Sequence, residues 1–410
     1  MRVMVVHNYY QQAGGEDYVV RDELELLRRH GDTVHTFFRH NDAIKQMSSL
    51  AVAKATVWNG AIAAELEAEV RRFRPDVVHF HNTFPLISPA AYAAARRAGA
   101  AVVQSLHNYR LTCVNAVLMR EGTTCEDCVG SAFAWKGVMR GCYRGSRCQS
   151  LGVAAMTTTH RVLGTWKRQV DAYIAMTRFQ QAKLVQAGVP AEKLHLKPNF
   201  APDLGPGEMH GPRGGYAMYL GRLSPEKGVG VLLDAWRRLG GAVPLKIVGG
   251  GPMQAEVEAV AAAVPGITWL RGQSYEQVQT LMREAELLIV PSINFEGFPR
   301  VIVEAASMGT PIVASRLGSM GELIEAGVTG EHFTAGDGAD LAAVVTRLWA
   351  DKPRLIPMRQ AIRAKFVREL SDEVNYRMLS GIYAAAIERR AGRTPAEVVP
   401  LTVSANAAAA

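Results

Sequence analysis

The chain has 410 residues, too many for one ordinary hydrophobic core, and this length predicts two domains. A hydrophobic content of 48% excludes a largely disordered protein, and no apolar run reaches the roughly 18 residues that a membrane span requires. The net charge of +8 lies in the first half, because residues 1–200 contain 25 Lys and Arg against 16 Asp and Glu, whereas residues 201–410 contain 21 against 22.

This basic excess favours anionic partners, either phospholipid headgroups or a phosphate-bearing acceptor. The sequence contains no recognisable nucleic-acid-binding module, so nucleic acid is not expected as a partner. Residues 1–7 are too short for a signal peptide and predict a first strand. We therefore expect a cytoplasmic protein that is at most peripheral on the inner face of the membrane.

In the first 200 residues, short apolar runs alternate with amphipathic stretches, a pattern typical of βαβ units on a parallel sheet. We predict strands over 3–6, 34–38, 76–80, 101–106 and 171–175, and helices over 16–30 and 89–98. The alternation is interrupted over residues 108–170, which predicts an insertion in a Rossmann-like domain that spans residues 1–200.

Gly14 and Gly15 follow the first predicted strand and open the first helix. The full G-x-G-x-x-G spacing is missing, which disfavours an ordinary dinucleotide site. Glycine at a helix start lets backbone amides approach a phosphate closely. We therefore expect a phosphate contact here, with a plain turn as the alternative.

Three histidines lie at the ends of predicted strands: His79, His81 and His107. A polar side chain at the carboxyl end of a parallel strand points into the ligand-binding crevice. We expect His107 to line that crevice, with local packing or capping as the alternative. His79 and His81 share one face of their strand, so that one of them lines the cleft or both have core or supporting roles.

The five cysteines all lie within the insertion: Cys113, Cys125, Cys128, Cys142 and Cys148. Cys125 and Cys128 have chelating spacing, and Cys113 and Cys142 on either side could complete a structural zinc site of four thiolates. The spacings outside this pair fit no standard zinc module. Reduced thiols that pack inside the domain are therefore the alternative.

The insertion also interleaves aromatic and apolar side chains with cations. These residues are Trp135, Met139, Tyr143 and Trp166 among Arg140, Arg144, Arg147, Arg161, Lys167 and Arg168. Such a composition suits either an interfacial membrane surface or a packed subdomain with a charged face.

Residues 198–215 are rich in Pro and Gly and predict a linker. The strand and helix alternation then restarts, and we predict strands over 216–220, 245–248, 267–270, 287–290 and 311–314. This pattern predicts a second doubly wound domain over residues 201–371. An amphipathic helix over 372–390 is expected to pack back on the N-terminal domain, and residues 391–410 are expected to form a disordered tail.

The first strand of the second domain leads into a loop that carries Arg222 and, five residues on, Lys227. Two cations in a strand-to-helix loop can neutralise a departing diphosphate, the work that a metal ion does in other enzymes. A solvated basic turn is the alternative. The glycine run at residues 249–251 follows the next strand and permits either a sharp turn or the close approach of a ligand.

Glu296 and Glu304 are the most informative residues of the second domain. The strand over 287–290 ends in a loop that carries Glu296, and a helix that opens near Pro299 places Glu304 a little over one turn further on. Both carboxylates then border the crevice at the carboxyl end of the sheet. Backbone N–H groups near residues 298–301 can bind an anion, so the segment suits a molecule with sugars at each end and phosphate in the middle.

Together these motifs resemble the retaining glycosyltransferases of family 4, whose GT-B fold has two Rossmann-like domains facing each other across a cleft. The likeness covers nearly the whole chain and depends most on Glu296 and Glu304 in combination with Arg222 and Lys227. The stretch from His107 through the cysteines is similar to a bacterial subgroup associated with surface polysaccharide synthesis.

The resemblance implies a role for each matching residue. Glu304 would bind the ribose of the nucleotide, Glu296 would contact the donor sugar, and Arg222 and Lys227 would hold the diphosphate. Further donor-binding positions that it implies are Gly14, Gly15, Gly250, Leu270, Gly297, Phe298, Pro299 and Arg300.

His107 would lie beside the donor sugar and help to stabilise positive charge at its anomeric carbon. The backbone of Gly15 would approach the diphosphate across the cleft. The chain departs from the family pattern at Pro299, where glycine is common. Proline removes one amide from the anion-binding helix start, and Arg300 is expected to supply compensating charge.

The implied reaction is transfer of a hexose from a UDP- or GDP-linked donor to a glycan or lipid-linked acceptor, with retention of anomeric configuration, in cell-surface polysaccharide synthesis. No cofactor and no metal are expected for catalysis. One alternative is a nucleotide-sugar epimerase of the same fold. The other is a catalytically silent nucleotide-sugar-binding scaffold of a polysaccharide assembly complex.

Overall fold

The computed structural model describes residues 1–12 and 14–395. The chain divides into two compact units. The first comprises Met1–Leu118, Glu126–Pro198 and the segment that begins at Glu373, and the second comprises Asn199–Asp372 together with Met119–Cys125. From residue 396 onward, the tail predicted over 391–410 lies outside the described residues.

The first unit is built on one parallel sheet. The strands up to residue 200 are β1 (Arg2–Tyr9), β2 (Thr33–His40), β3 (Val77–Phe80), β4 (Ala101–Ser105), β5 (Met119–Arg120), β6 (Thr123–Thr124), β7 (Ala172–Ala175) and β8 (Leu194–Leu196). β5 and β6 pair as a separate antiparallel hairpin, and the other six strands follow the order β2-β1-β3-β4-β7-β8. The strand order reverses at β1, and open α/β sheets bind ligands at such a reversal.

Helices cover both faces of this sheet. Those up to residue 200 are α1 (Gly15–Arg29), α2 (Ser49–Val57), α3 (Gly60–Phe73), α4 (Ala90–Arg97), α5 (Trp135–Met139), α6 (Arg147–Val162), α7 (Thr165–Arg168) and α8 (Arg178–Gln186), with 3₁₀ turns at Asn41–Gln46 and Ala191–Lys193. Strand β1 shows the two-sided burial, since Met4 and Val6 pack in one apolar cluster and Val3 and Val5 in another. A parallel strand buried on both faces requires such a continuous apolar run.

The second unit contains a second parallel sheet of six strands. They are β9 (Ala217–Leu220), β10 (Leu245–Val248), β11 (Ile267–Leu270), β12 (Leu287–Val290), β13 (Ile312–Ser315) and β14 (Gly330–Phe333). Their order is β11-β10-β9-β12-β13-β14, which reverses between β9 and β12. The prediction of two doubly wound Rossmann-like domains is therefore confirmed.

The helices after residue 200 alternate with these strands and then close the chain. They are α9 (Val229–Leu239), α10 (Gln254–Ala263), α11 (Tyr275–Glu284), α12 (Arg300–Ser307), α13 (Ser319–Leu323), α14 (Gly338–Ala350), α15 (Leu355–Lys365) and α16 (Asp372–Arg390). Shorter turns lie at Pro225–Lys227, Lys352–Arg354 and Phe366–Leu370. In the first unit, Leu379 and Tyr383 of α16 belong to the same apolar cluster as Val3 and Val5.

The sequence pattern does not predict β8, β14, α2, α3, α8 or the helices and hairpin of the insertion. Strands β8 and β14 lie at sheet edges and contain the polar residues His195, Glu331 and His332, so they lack the continuous apolar run of the inner strands. Throughout the described part of the chain, no helix has both the length and the apolar composition needed to cross a membrane.

Candidate active site

The loop after β9 carries two cations at the carboxyl edge of the second sheet. The hydroxyl of Tyr219 donates a 2.8 Å hydrogen bond to the carbonyl oxygen of the exposed Arg222, and a 3₁₀ turn at Pro225–Lys227 follows. Gly228 ends this turn with a φ of +69°, and a Cβ atom there would collide with the carbonyl oxygen of Pro291. Glycine is therefore required for the loop to close against the end of β12.

Lys227 and Glu296 form an ion pair at the strand reversal. Lys227 Nζ lies 2.6 Å from Glu296 Oε1, and Ser292 Oγ donates a 2.8 Å hydrogen bond to the same oxygen. The backbone fixes the two loops together, because the Ile293 N–H donates a 3.0 Å hydrogen bond to the Glu226 carbonyl. The loops after β9 and β12 thus meet where open α/β sheets bind ligands.

Helix α12 begins at Arg300, and Pro299 is its N-cap with extended backbone instead of a residue of the first turn. Arg300 Nε lies 3.0 Å from Glu304 Oε1, and the two side chains are only 7% and 13% exposed. The Arg300 charge is therefore paired with Glu304. The sequence predicts instead that it replaces the N–H group that Pro299 removes from the anion-binding helix start. Gly297 and Phe298, which precede this helix, are both buried.

A cavity of about 370 Å³ lies at the carboxyl ends of β9, β10 and β11. Residues that line it include Leu220, Gly249, Gly250, Trp269, Arg271 and Gly272. Trp269 Nε1 donates a 3.0 Å hydrogen bond to the Gly249 carbonyl, which holds the indole against the glycine run. Of the sequence-predicted positions, Gly250 lines this cavity, and Leu270 lies between two residues that do.

The three glycines of the run at residues 249–251 have different constraints. Gly249 and Gly251 have φ values of +139° and +156°, and a Cβ atom on either would collide with the backbone of the loop after β9. At Gly250 the nearest atom is the flexible Gln254 Nε2, at 3.0 Å. Backbone packing explains the outer two glycines, whereas a ligand contact stays a prediction for Gly250.

In the first unit, Gly14 is the N-cap of α1 and Gly15 is its first residue. The Gly14 N–H donates a 2.9 Å hydrogen bond to Asp17 Oδ2, and Asp17 Oδ1 lies 2.8 Å from His7 Nε2. A Cβ atom at either glycine would have no other described atom within 4 Å, so packing does not require glycine there. Since the Gly14 amide is engaged by Asp17, the predicted phosphate contact is left to Gly15.

His107 follows β4 and contacts a second histidine. Its Nε2 lies 2.9 Å from His81 Nδ1, the rings stack at 5.2 Å, and His81 Nε2 lies 3.1 Å from Glu23 Oε1. Burial, reinforced by His81, lowers the pKa of His107 well below its usual range. Burial and the nearby His79 lower the pKa of His81 to about 4. Both His81 and His107 are therefore neutral at physiological pH.

This neutral pair predicts a pH-dependent stability. The pKa of a histidine is about 6.5 in an unfolded chain but about 4 for folded His81, so the unfolded chain binds more protons between these values and stability rises with pH. We expect this residue alone to remove on the order of 2 kcal/mol from the free energy of unfolding between pH 7 and pH 5. Urea unfolding at both pH values measures the change, and His81→Asn should reduce it. Equal or greater stability at pH 5 would contradict a neutral His81.

Within the part of the chain that the structure describes, the four cysteines considered for a zinc site do not converge as a group of metal-ligand atoms. Among the described residues, the group of three close metal-ligand atoms comes from Glu23, His79 and His81. It includes none of Cys113, Cys125, Cys128 and Cys142. Cys142 instead packs against the apolar cluster of the insertion that contains Val138, which agrees with the alternative of packing thiols.

Both units match known glycosyltransferase families. Residues 214–351 match the family described as glycosyl transferases group 1, and residues 14–199 match the glycosyl transferase 4-like domain. The two matches together include every charged residue of the candidate site. The chain belongs to the glycosyltransferases with a glycosyl transferase 4-like domain and a group 1 domain.

One relative of this glycosyltransferase is the amylovoran biosynthesis glycosyltransferase AmsK of Erwinia amylovora. The two are 30% identical over an alignment of 230 residues that covers 52% of this chain and 56% of AmsK. The match thus spans just over half the length of that relative.

Solved structures share the fold of this glycosyltransferase. Anabaena HepE in complex with UDP has a TM-score of 0.64 at 19% identity, covering 93% of this chain and 98% of HepE. Sucrose-phosphate synthase of Thermosynechococcus elongatus has a TM-score of 0.69 at 16% identity, with coverages of 93% and 98%. At these identities the likeness establishes the fold alone.

Two side chains behind the histidines carry no sequence motif: Glu23, which contacts His79 and His81, and Lys197, which contacts Glu23. Glu23 lies within an otherwise apolar helical face beside Leu24 and Leu26, and a charge at such a position is the one local signal for a buried partner. Its partners lie on other elements of the fold, so sequence spacing does not identify them.

Proposed function

We propose that this chain is a retaining hexosyltransferase that moves a hexose from a nucleotide diphosphate sugar to a glycan or lipid-linked acceptor. The observation that carries the proposal is the set of Arg222, Lys227, Glu296 and Glu304 on two loops and one helix at the strand reversal of the second sheet. Such a donor needs cations for its diphosphate and carboxylate acceptors for the hydroxyls of its two sugars, and this set contains both.

The parts of the donor can be assigned to parts of the second unit. We assign the base to the cavity beside Trp269, the diphosphate to Arg222 and Lys227, and the transferred sugar to Glu296. Glu304 would bind the ribose, with its carboxylate oriented by Arg300. Structures of HepE with UDP and with UDP-glucose support a UDP-linked hexose as the donor, and GDP-linked donors are the alternative.

In the proposed reaction, the bond between the anomeric carbon and the diphosphate oxygen breaks while the acceptor oxygen bonds to the same face of that carbon. The departing diphosphate takes the acceptor's proton, so no protein base is needed. Arg222 and Lys227 stabilise the negative charge that develops on the diphosphate. The three N–H groups of Lys227 allow it to contact the diphosphate and Glu296 together.

His107 would meet the transferred sugar near the anomeric carbon, where positive charge develops. Because burial keeps this imidazole neutral, it adds no repulsion to that charge, as an imidazolium would. The neutral form is therefore the form that suits the proposed reaction.

The relation to AmsK supports a role in cell-surface polysaccharide synthesis. In our proposal, this synthesis takes place on lipid-linked acceptors at the cytoplasmic face of a membrane. Trp135 and Met139 of α5 are 60% and 44% exposed, next to the basic residues Lys136 and Arg140. An exposed aromatic side chain among cations suits peripheral contact with anionic lipid. This contact would bring the first unit to a lipid-linked acceptor.

A donor panel tests the proposed activity. The protein is incubated with UDP-glucose, UDP-GlcNAc and GDP-mannose, each labelled in the sugar, with and without lipid extract. Transfer from one donor, with the anomeric configuration of the product retained by NMR, supports the proposal. Conversion of the donor without acceptor would indicate the epimerase, and donor binding without any turnover would indicate the silent scaffold. Either of these outcomes contradicts a hexosyltransferase.

Replacing Glu304 should weaken nucleotide binding. Glu304→Ala removes the proposed hydrogen bonds to the ribose, and we expect the Kd for UDP to rise about tenfold to a hundredfold in isothermal titration calorimetry. Glu304→Gln keeps one acceptor oxygen and should have an intermediate Kd. Glu256→Ala, at an exposed position of α10, is the matched control. An unchanged Kd for Glu304→Ala would remove Glu304 from the nucleotide site.

A further inference from the structure

The first unit buries a charged network directly behind His107. Glu23 Oε1 lies 2.9 Å from His79 Nδ1 and 3.1 Å from His81 Nε2, and Glu23 Oε2 lies 3.4 Å from Lys197 Nζ. All four residues are at most 3% exposed. Burial alone would raise the pKa of Glu23, but His79, Lys197 and His81 together lower it well below its usual range. Glu23 is therefore a carboxylate.

The side of this network away from His107 is anchored by two further elements. Lys197 Nζ donates a 2.9 Å hydrogen bond to Asn375 Oδ1 of α16. His79 Nδ1 lies 2.8 Å from the hydroxyl of Tyr383, also of α16, and His79 Nε2 lies 2.9 Å from Ser105 Oγ of β4. Because each anchor is itself buried, Glu23 has one fixed position.

The chain of hydrogen bonds that runs from Glu23 through His81 to His107 determines which ring nitrogen of each histidine carries the proton. A carboxylate only accepts, so His81 Nε2 must carry a proton toward Glu23. Neutral His81 then has a lone pair on Nδ1, which can only accept from His107 Nε2. His107 must therefore carry its proton on Nε2 and a lone pair on Nδ1. Within the described residues, no protein group hydrogen-bonds that Nδ1, and His107 is half-buried instead of enclosed.

A divalent metal ion is the other occupant that Glu23, His79 and His81 could bind. The same contacts disfavour it. A metal there would take the lone pair of His81 Nε2, the nitrogen that faces Glu23, and His81 Nδ1–H would then donate to His107. Lys197 already supplies a buried cation to the same carboxylate, however, and a second cation beside it would be repelled. The group is therefore better explained as a proton-ordering network than as a metal centre.

We propose that Glu23 and His81 are positioning residues that hold His107 in the tautomer with an unprotonated Nδ1, which accepts a hydrogen bond from a hydroxyl of the transferred sugar. This inference rests on the proposed function for the identity of the hydroxyl. The tautomer itself follows from the contacts of the first unit and from the neutral state of His81, without any assumption about the substrate. Glu23 and His81 touch no substrate and act only through His107.

The tautomer can be measured without any activity. Two-bond ¹H–¹⁵N NMR spectra of protein labelled with ¹⁵N-histidine distinguish the two neutral tautomers from imidazolium, and the spectrum of His107→Gln assigns the His107 signals. We expect one neutral His107 with its proton on Nε2 from pH 6 to pH 8. A proton on Nδ1, or an imidazolium in this range, overturns the proposal. Zinc or another metal that copurifies in a one-to-one ratio would overturn it as well.

Glu23→Gln tests whether the carboxylate sets the tautomer. An amide can donate as well as accept, so His81 and His107 should populate both tautomers in this variant. On the donor that the wild-type protein uses, kcat should fall about tenfold, the size of one misdirected hydrogen bond, with little change in KM for the donor. Asp22→Asn makes the same acid-to-amide change one position away on α1 and should leave both the spectrum and kcat unchanged.

The outcomes separate this inference from the proposed function. If wild-type His107 carries its proton on Nε2 but the protein turns over no donor, the positioning network is supported and the proposed hexosyltransferase activity is refuted. A Glu23→Gln variant that is folded and keeps a single Nε2–H tautomer refutes the positioning role, whatever the activity. If Glu23→Gln does not fold, Ser105→Ala provides the comparison, because it breaks only the His79 branch. Ser105→Ala should leave the His107 tautomer as in wild type. A changed tautomer would contradict the proposal that Glu23, acting through His81, sets the tautomer of His107.

Discussion

Replacing Arg222 with alanine is expected to lower kcat by about two orders of magnitude, the loss that follows removal of one group that stabilises a developing anion. The reason is its place in the loop after β9, where the cation would face the departing diphosphate. The effect on donor affinity should be smaller, because Lys227 still neutralises the bound diphosphate. Steady-state kinetics with the preferred donor of the panel measure both quantities.

Arg222 is the better test of the two cations. Lys227 is paired with Glu296, so its removal would also leave that carboxylate without its cation. The Arg222 side chain is exposed and forms no ion pair within the described residues, so its loss should not destabilise the fold. Arg238→Ala, at an exposed position of α9, is the matched control and should retain full activity. An Arg222→Ala enzyme with the wild-type kcat would refute the leaving-group role.

Replacing Gly228 with alanine should have the largest effect on stability. The substitution puts a methyl group into the Pro291 carbonyl and keeps a left-handed φ of +69°. Left-handed backbone and overpacking each cost about 1–3 kcal/mol, so we expect the free energy of unfolding of the second unit to fall by about 3 kcal/mol or more. Thermal unfolding by calorimetry measures the change, and UDP binding should be lost with it.

Gly230→Ala is the matched control for this substitution. Gly230 lies two positions further on, in the first turn of α9, where a Cβ atom would have no described atom within 4 Å. Alanine there favours the helix and should stabilise the protein by about 0.5–1 kcal/mol. If Gly228→Ala unfolds at the wild-type temperature, the loop after β9 is not closed against β12 as the structure has it.

The inner strands could be predicted because they combine burial on both faces with short length. The predicted strand over 245–248 matches β10 residue for residue, and that over 287–290 matches β12. The edge strand β14 has no such signal, since Glu331 and His332 interrupt its apolar run. The position of Arg222 and Glu296 in loops at the carboxyl edge of the sheet could also be predicted, because they lie two and six residues after predicted strand ends.

The contacts among these residues could not be predicted, because they depend on the register of distant elements. Arg300 lies within the predicted anion-binding segment, yet helical spacing of four residues pairs it with Glu304. Glu23 and Lys197 are separated by most of the first unit in sequence and meet only once β8 and α1 are placed. Nor does the spacing of the cysteines say whether their side chains converge, and the structure gathers a different group.

The close backbone contacts that require glycine at positions 228, 249 and 251 determine how the loops of the second unit can move. At each of these positions a Cβ atom would collide with the main chain of a neighbouring loop, so the loops after β9, β10 and β12 are in direct backbone contact there. These loops should move as one rigid body on the timescale of turnover, with slow amide exchange throughout. The site would then adjust to the changing diphosphate by rotation of the exposed Arg222 side chain, which takes picoseconds to nanoseconds.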